Sequence, residues 1–361
     1  MTRRVPAADA PAALRLREPA DVLAAIPYVM GYHPSDSVVL LALRGTQLLF
    51  TAREDLPGAD LDDLREQALM LQRLLRRERA TAVLLVGFGP DDRVRPAVLL
   101  LRDLCQAAGL RVLEMLRADG GRFWSYFCAD PSCCPADGSP YDPRSSAIAA
   151  QWTVAGRVAL PDRESYEGQL EPVTGAERLA MARATARAGD RLFDLVTQPI
   201  DEPTLEGEIL AAAHTVLREA LAGAPLDDDT VAWLTVLLAS EPVRAVAWTQ
   251  VGSAVPDLAD DLRALWLDVM RRAEEDLRAA PAALFAYAAW QCGDSHLARV
   301  AVEQALELEP DFAQAWDLRK ALARGRPPGD LEAEESRRVS GRRARRSRRR
   351  SSSRRAGSQP G

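Results

Sequence analysis

The sequence predicts an α/β mixed-sheet N-terminal domain followed by an all-helical domain, and three observations support this fold class. Strand-length apolar runs alternate with amphipathic segments over residues 14–145. Alanine-rich helical segments with short Pro, Gly and Asp breaks fill residues 146–326. No window approaches the roughly 18 consecutive apolar residues of a transmembrane helix. Since the first residues also lack a hydrophobic signal core, we expect a cytoplasmic protein without a transmembrane segment.

The sequence of the N-terminal half predicts alternating strands and helices. Residues 1–13 are rich in Ala and Pro and are predicted to form a flexible arm, with a short strand at 14–16. Pro19 suits the first turn of a helix, and Gly31 suits its end. The predicted strands are 37–43, 47–51, 81–87, 110–117 and 122–128, and the predicted helices are 19–30, 61–79 and 93–108. This order predicts a mixed sheet with right-handed parallel crossovers.

The sequence of the C-terminal half predicts a stack of short helices. Its predicted helices are 146–155, 175–197, 203–222, 228–239, 242–250, 257–279, 281–291, 295–308 and 312–323. Small residues and a proline near the end have the spacing of a tetratricopeptide-type helix pair: Gly293, Ala298, Ala305, Pro310 and Trp316. We therefore predict a tetratricopeptide-like C-terminal pair. Helical stacks of this kind present surfaces to proteins, which favours a protein partner.

The last residues, 327–361, form an Arg/Ser-rich tail that is predicted to be disordered. Eleven arginines and no acid lie between Arg337 and Arg355. Removing these eleven from the 46 basic residues leaves 35 against 52 acidic residues, so the remaining body carries a net charge of −17. The tail could bind a polyanion, either nucleic acid or an anionic membrane surface. Its densest part holds Arg342, Arg343, Arg345, Arg346, Arg348, Arg349 and Arg350.

Three of the five cysteines lie close together, in a segment that follows four clustered aromatic residues. Cys128, Cys133 and Cys134 are candidate zinc ligands, because thiolates bind zinc readily. The spacing lacks the usual pair of Cys-x-x-Cys knuckles, and free cysteine is commonly a buried residue. Aromatics on both faces of the predicted strand 122–128 favour a packed hairpin. We therefore prefer packed thiols and predict no cofactor, with zinc and redox use as open alternatives.

A second candidate site lies at one edge of the predicted sheet. His33 and Asp36 stand in a turn there, and an acidic neighbour suits a histidine that acts as a general base. Gly87 and Gly89 follow a strand and precede a helix, where phosphates often bind. A third fingerprint glycine is missing, and the acidic residues Asp91 and Asp92 follow. These residues are the catalytic and ligand-binding candidates, while backbone capping is the structural alternative for His33.

Several segments together resemble a bacterial family called domain of unknown function 4192. They run from Pro19 to Tyr28, from Gly31 to Val39, from Trp124 to Cys134 with the following Pro135 and Gly138 to Pro140, and from Ala288 to Asp294. The resemblance covers roughly residues 14–325 and implies no particular reaction. It places His33, Asp36 and the three clustered cysteines inside family signatures.

The function that the sequence favours is a non-enzymatic interaction or regulatory protein that uses its helical domain as a binding surface. The common catalytic motifs are missing from the sequence, which argues against an enzyme. Two alternatives stay open. One is a small-molecule-binding enzyme with its site at the His33/Asp36 edge, and the other is tethering to nucleic acid or an anionic membrane through the tail.

Overall fold

A computed structural model describes residues 2–4, 18–58, 61–144, 146–221, 225–329 and 331. The predicted strand at 14–16 and nearly all of the Arg/Ser-rich tail lie outside these residues. By contacts, the chain divides into two compact units. Unit 1 comprises residues 1–171 together with 292–300, and unit 2 comprises residues 172–291 and 301–361. The N-terminal unit is built on a mixed sheet and the C-terminal unit is mostly helical, as the sequence predicts.

Within the described residues, seven strands form one sheet in the order β1-β3-β2-β4-β5-β6-β7. The strands are β1 (Thr2–Arg4), β2 (Ser37–Arg44), β3 (Gln47–Asp55), β4 (Ala82–Phe88), β5 (Arg111–Asp119), β6 (Arg122–Ser125) and β7 (Ser139–Pro140). Strands β4 and β5 are parallel, and all other neighbours are antiparallel. Residues 2–4 were predicted to lie in a loose arm. They form an edge strand instead, because β3 offers unpaired backbone groups along that side.

Three helices of unit 1 have the predicted positions to within one or two residues. They are α1 (Pro19–Met30), α2 (Asp62–Arg77) and α3 (Asp91–Ala107). Gly31 ends α1 with φ of 89°, a left-handed conformation that glycine adopts without strain. Helices α2 and α3 lie against the sheet, and their buried Leu64, Val94 and Leu101 join the sheet side chains in one hydrophobic core. Burial of this apolar surface holds the β4–α3–β5 crossover in place.

Strand β6 is shorter than predicted, and this changes the account of the aromatic run. The prediction extended the strand to Cys128 with aromatic residues buried on both faces. The strand ends at Ser125, and Phe127 is 48% exposed. The Ser125 hydroxyl accepts hydrogen bonds from the backbone N–H groups of Phe127 and Cys128, at 3.1 and 3.2 Å. The Tyr126 N–H still donates to the Met115 carbonyl of β5 at 2.8 Å, and beyond it the turn takes the chain out of the strand.

The helices α4 (Ala147–Val154) and α5 (Arg163–Glu167) fall within unit 1 by contacts, while the predicted helical domain begins at residue 146. Helix α4 lies against α1, where the rings of Tyr28 and Trp152 stack with centroids 6.3 Å apart. Ile148 and Ala149 extend this small apolar cluster. This packing places residues 146–155 in unit 1, which continues to Glu171.

The remaining helices begin after Glu171. They are α6 (Gly175–Val196), α7 (Glu202–Ala220), α8 (Asp228–Leu237), α9 (Glu241–Gly252), α10 (Pro256–Arg272), α11 (Ala279–Gln291), α12 (Ser295–Leu308) and α13 (Ala313–Ala323). The predicted helix 257–279 ends early, at Arg272. Ala273 takes an extended conformation with ψ of 140°, and its carbonyl accepts the Arg278 side chain at 2.9 Å. A short 3-10 turn at Glu275–Leu277 then leads into α11.

Among the described residues, no single helix has the length and apolar composition to cross a membrane. The neighbouring helices α8 and α9, bent by 110°, reach that length and composition only when they are taken together.

Candidate functional site

The predicted His33/Asp36 pair lies between α1 and β2, and the structure gives its two members separate contacts. Asp36 has φ of 41°, and its Oδ1 accepts a hydrogen bond from Arg93 Nη1 at 2.6 Å. Arg93 also donates through Nη2 to the Leu56 carbonyl at 3.2 Å. The His33 side chain is partly buried, and this burial, aided by nearby Arg144, lowers its pKa. Through Arg93, Asp36 therefore holds the start of the loop that follows β3. A catalytic role for His33 and Asp36 stays a prediction.

Packing accounts for the two glycines at the same edge. A Cβ atom on Gly87 would lie 2.1 Å from Val94 Cγ1, so glycine permits the close approach of α3 to β4. Gly89 has φ of 139°, and its N–H donates to the Ala118 carbonyl at 3.0 Å. A phosphate site there would also face Asp91 at the start of α3. Ligand binding at Gly87 and Gly89 stays a prediction.

The three cysteines after β6 converge in space. The ligand atoms of Cys128, Cys133 and Cys134, which we call the thiol cluster, all lie within 4.8 Å of one another. Among the described residues, the thiol cluster is the one group of three or more potential metal ligands whose ligand atoms lie close together. His33 does not belong to it. Cys133 is exposed and the other two thiols are partly buried, so packing in a core does not explain the cluster.

A short turn built on Asp130 brings the thiols together. The Asp130 carbonyl accepts from the N–H groups of Cys133 and Cys134, at 3.1 and 2.7 Å. Its side-chain Oδ1 accepts from the backbone N–H and the hydroxyl of Ser132, at 2.9 and 2.8 Å. This single helical turn carries the two adjacent cysteines back towards Cys128. The sequence pattern Asp-Pro-Ser before the cysteine pair is the signal for such a turn.

A hydrogen bond links the thiols of Cys128 and Cys134. A hydrogen bond from the Cys134 thiol lowers the pKa of Cys128, with the Asp130 backbone N–H as a second donor. The same contact raises the pKa of Cys134 to about 12, because its proton is held by the Cys128 sulfur. The two pKa values move in opposite directions because the two sulfurs share one hydrogen-bonded proton. These hydrogen bonds therefore favour the thiolate form at Cys128 over Cys134.

Trp124 and Gly138 support the thiol cluster from the β6–β7 side. The indole Nε1 donates to the Ala136 carbonyl at 3.1 Å, and the Arg117 guanidinium stacks on the ring at 3.6 Å from its centroid. A Cβ atom on Gly138 would lie 2.5 Å from Trp124 Cε2, so the indole lies directly against this backbone. Arg122 binds the same loop through the Gly138 carbonyl at 2.6 Å. The loop is thus attached to the sheet at several points.

A second cluster of ionisable side chains lies in unit 1, around the buried imidazole of His296. We call it the His296 network. It consists of Tyr32, Arg163, Tyr166, Glu167, Asp294 and His296. The Tyr166 ring stacks on the imidazole at an interplanar angle of 13°, and Tyr32 tilts against both rings. The network therefore joins α5 to residues that lie about 130 positions later in the sequence.

Burial controls the charge of His296. Its Nε2 lies 2.9 Å from Glu167 Oε1, but neither ring nitrogen has an aligned hydrogen bond. Glu167 Oε1 instead accepts from Arg163 Nε at 2.6 Å. Burial lowers the pKa of His296 to about 4, because desolvation and Arg163 outweigh Glu167 and Asp294. The imidazole is therefore neutral at pH 7.

Unit 2 carries a groove between α7 and α9, which we call the α7–α9 groove. Its volume is about 1170 Å³. It is lined by Ala211, His214, Thr215, Leu217, Arg218, Leu221, Ala245, Val246, Thr249, Gln250 and Ser253. Nothing in the sequence analysis singled out these residues. Small residues at helical spacing on α7 and α9, two helices that α8 separates in the sequence, are the signal that would have found them.

Residues 19–329 match the family model described as Domain of unknown function (DUF4192). No curated protein and no solved structure matches the chain. The matched range includes the thiol cluster, the His296 network and the α7–α9 groove. The densest part of the arginine tail lies outside both the matched range and the described residues.

Proposed function

This chain belongs to the family of domain of unknown function 4192, and on that premise we propose that it is a cytoplasmic, non-enzymatic interaction or regulatory protein. Its binding surface is the α7–α9 groove, and its partner contributes an amphipathic helix with an acidic side chain. The single observation that carries the proposal is the groove itself, with its volume of about 1170 Å³. Helices in grooves of this kind are bound through apolar side chains spaced at i, i+3 or i+4, and i+7.

The floor of the groove is apolar even though several of its residues carry hydroxyl groups. The Thr215 hydroxyl donates to the Ala211 carbonyl at 3.0 Å, and the Thr249 hydroxyl donates to the Ala245 carbonyl at 2.8 Å. The Ser253 hydroxyl likewise donates back to its own helix. These hydroxyls are satisfied by the backbone, so a partner can cover them without breaking solvent hydrogen bonds.

Small side chains give the groove room for a partner helix. Ala211 and Ala245 are both exposed, and each lies one turn before a threonine that is bonded back to it. Leu217 is buried beneath them and Val246 is partly buried. An incoming Leu or Phe would meet these small side chains and the threonine methyl groups, while His214, Arg218 and Gln250 line other parts of the groove. Full burial of one such side chain stabilises a complex by roughly 1.5–3 kcal/mol.

The charge of the groove specifies the partner further. Of the described residues that line it, the ionisable ones are His214 and Arg218, and none is acidic. Arg218 lies in the last turn of α7 and is exposed. A partner with an Asp or Glu beside its apolar face would pair with Arg218, which favours an acidic amphipathic helix over a basic one.

A tetratricopeptide-like C-terminal pair is part of this proposal. Ala298 and Ala305 on α12 are fully buried, as the small positions of such a pair require. The Trp316 Nε1 donates to the Pro310 carbonyl at 2.7 Å, which holds the start of α13 against the preceding turn. These contacts support stacked helices that present an adjacent surface to a partner.

The experiment combines photo-cross-linking with a titration. A photoreactive residue replaces Thr249 in the full-length protein, and a second version carries it at Arg65, an exposed residue of α2. A partner cross-linked from Thr249 and not from Arg65 is then purified for binding measurements. We expect Ala245→Glu to weaken its binding roughly tenfold or more, because a buried charge would face the partner's apolar side chains.

The matched control is Ala186→Glu, which places the same charge at an exposed position of α6 outside the groove. It should bind as the wild type does. Arg218→Ala should weaken binding and make it less dependent on salt concentration, because it removes the proposed ion pair. Equal effects of Ala245→Glu and Ala186→Glu, or the lack of any cross-link specific to Thr249, would contradict the proposal.

A further inference from the structure

We propose that the thiol cluster of Cys128, Cys133 and Cys134 binds one zinc ion through three sulfur ligands, with the fourth position taken by solvent. This site is distinct from the α7–α9 groove and does not depend on the proposed function. The observation that carries it is the convergence of three thiols from a chain with five cysteines.

The separation of the ligand atoms suits zinc. A tetrahedral site with Zn–S bonds of about 2.3 Å places its sulfurs about 3.8 Å apart. All three sulfurs of the thiol cluster lie within 4.8 Å of one another before any ion is bound. These separations exceed the tetrahedral spacing by at most about 1 Å, which small side-chain movements can close.

The position of the cluster rules out ordinary packing as its cause. Cys105 represents the packed type in this protein, because it is 3% exposed and burial raises its pKa to about 11. The thiols of the cluster instead lie in a surface loop, where Cys133 is exposed. Three free thiols at a surface are exposed to oxidation unless a ligand protects them. A bound ion supplies that protection and neutralises the charge of the thiolates.

The loop also has little apolar material of its own. Between Cys128 and Gly138 it consists of small, polar and proline residues, and it is held by hydrogen bonds to Asp130, Trp124 and Arg122. Binding of a zinc ion would stabilise such a loop where a hydrophobic core cannot. The exposure of Cys133 leaves one side of the ion open to water, which predicts three sulfur ligands and one oxygen ligand.

The choice between zinc and a disulfide follows from how many thiols each uses. A disulfide takes up two cysteines and leaves the third without a role. A metal ion uses all three, and all three are within reach of one point. Zinc is the expected ion, because thiolates select soft or borderline metals over magnesium and calcium.

The test uses the full-length protein, produced with zinc in the medium and purified under reducing conditions without chelator. Zinc content per chain is measured first. Zinc is then removed, and cobalt(II) is added as a spectroscopic probe of the same site. We expect one zinc per chain, and with cobalt a sulfur-to-metal charge-transfer band together with the visible bands of a tetrahedral ion. X-ray absorption on the zinc form should show three sulfur neighbours and one lighter atom.

The variants Cys128→Ser, Cys133→Ser and Cys134→Ser should each weaken metal binding by more than 100-fold, because loss of a direct ligand exceeds the roughly 10–100-fold effect of losing a supporting group. Cys292→Ala, which changes a cysteine outside the cluster, should keep the full zinc content. Cys133→Ser keeps the exposed position polar, so it tests the site even if a buried change impairs folding. Zinc-free wild-type protein that gives no cobalt bands, or zinc retained by all three variants, would overturn the proposal. Loss of two thiols to a disulfide in the wild type would also overturn it.

Discussion

The Tyr166 hydroxyl donates a hydrogen bond to a carboxylate oxygen of Asp294, 128 residues further along the chain. The same carboxylate accepts the Leu297 N–H through Oδ1 at 3.1 Å, so it also caps the start of α12. Tyr166 and Asp294 are 5% and 2% exposed. One buried aspartate therefore ties α5 to the segment 292–300 within unit 1.

We expect Tyr166→Phe to lower the free energy of unfolding by about 1.5–3 kcal/mol, since it leaves a buried carboxylate without one of its donors. Asp294→Asn keeps an oxygen for the Leu297 cap but weakens the bond from Tyr166. The two changes together should destabilise less than the sum of the single changes, because they remove one shared interaction. Urea unfolding of the four proteins measures this, and strictly additive effects would show that the two residues act independently.

Stability should fall as the pH drops from 7 towards 4. Burial lowers the pKa of His296 to about 4 in the folded protein, against 6.5 for an ordinary histidine. The unfolded chain therefore binds more protons than the folded chain between these values, and acidification favours unfolding. The effect has an upper limit of roughly 3–4 kcal/mol, at about 1.4 kcal/mol for each pKa unit. The groups that face the imidazole are Tyr32, Arg163, Tyr166, Glu167 and Asp294.

The measurement for this prediction is chemical unfolding at several pH values between 7.5 and 5. His296→Gln removes the titrating group and should flatten the profile over that range. His33→Gln is the matched control, because burial also lowers the pKa of His33 but its side chain is less enclosed. The account fails if the stability of His296→Gln depends on pH as steeply as that of the wild type while the dependence is lost in His33→Gln.

The contact between Gly87 and Val94 should make Gly87→Ala destabilising by about 1–3 kcal/mol, since the new methyl group overpacks the β4–α3 interface. Val94→Ala alone should also destabilise, because it leaves a cavity at a fully buried position. The double variant Gly87→Ala/Val94→Ala should be more stable than the two single effects predict. Thermal unfolding of the three variants tests this, and a double variant worse than the sum would refute the steric explanation.

The sequence predicted the β4–α3–β5 crossover and the helical C-terminal half well, because apolar periodicity dominates those regions. It missed the end of β6, since Ser125 ends the strand through a local hydrogen bond that has no periodic signature. It gave the three clustered cysteines as candidates, but their convergence depends on the Asp130 turn, which is a matter of three-dimensional geometry.

The His296 network was invisible to the sequence for a different reason. His296 stands on an ordinary helical pattern, and its partners Tyr32 and Glu167 are more than 100 residues away. Contacts of that sequence separation arise from tertiary packing alone. Gly87 was a ligand-binding candidate, and the structure adds a packing role, because a glycine needed for helix packing and a glycine that approaches a phosphate look alike in a single sequence.

Gly138→Ala should weaken zinc or cobalt binding, because its Cβ would push on Trp124 and displace the loop that carries the cysteines. We expect an effect within the roughly 10–100-fold range of a supporting group. Gly156→Ala is the matched control. Its φ of 77° is close to the 81° of Gly138, but a Cβ there would meet no atom within 4 Å. Cobalt titration measures the metal affinity of both variants. Equal affinities would show that the contact between Gly138 and Trp124 does not support the metal site.

The most direct test of the metal-site claim is native mass spectrometry of the full-length protein, prepared with zinc, at neutral pH. The account predicts a wild-type mass that corresponds to one bound zinc and becomes the metal-free mass on acidification, as thiolate ligands take up protons. It predicts the metal-free mass at neutral pH for the variant in which Cys128, Cys133 and Cys134 are all serine. A wild-type chain that carries no zinc, or a triple variant that still carries one, would contradict the claim.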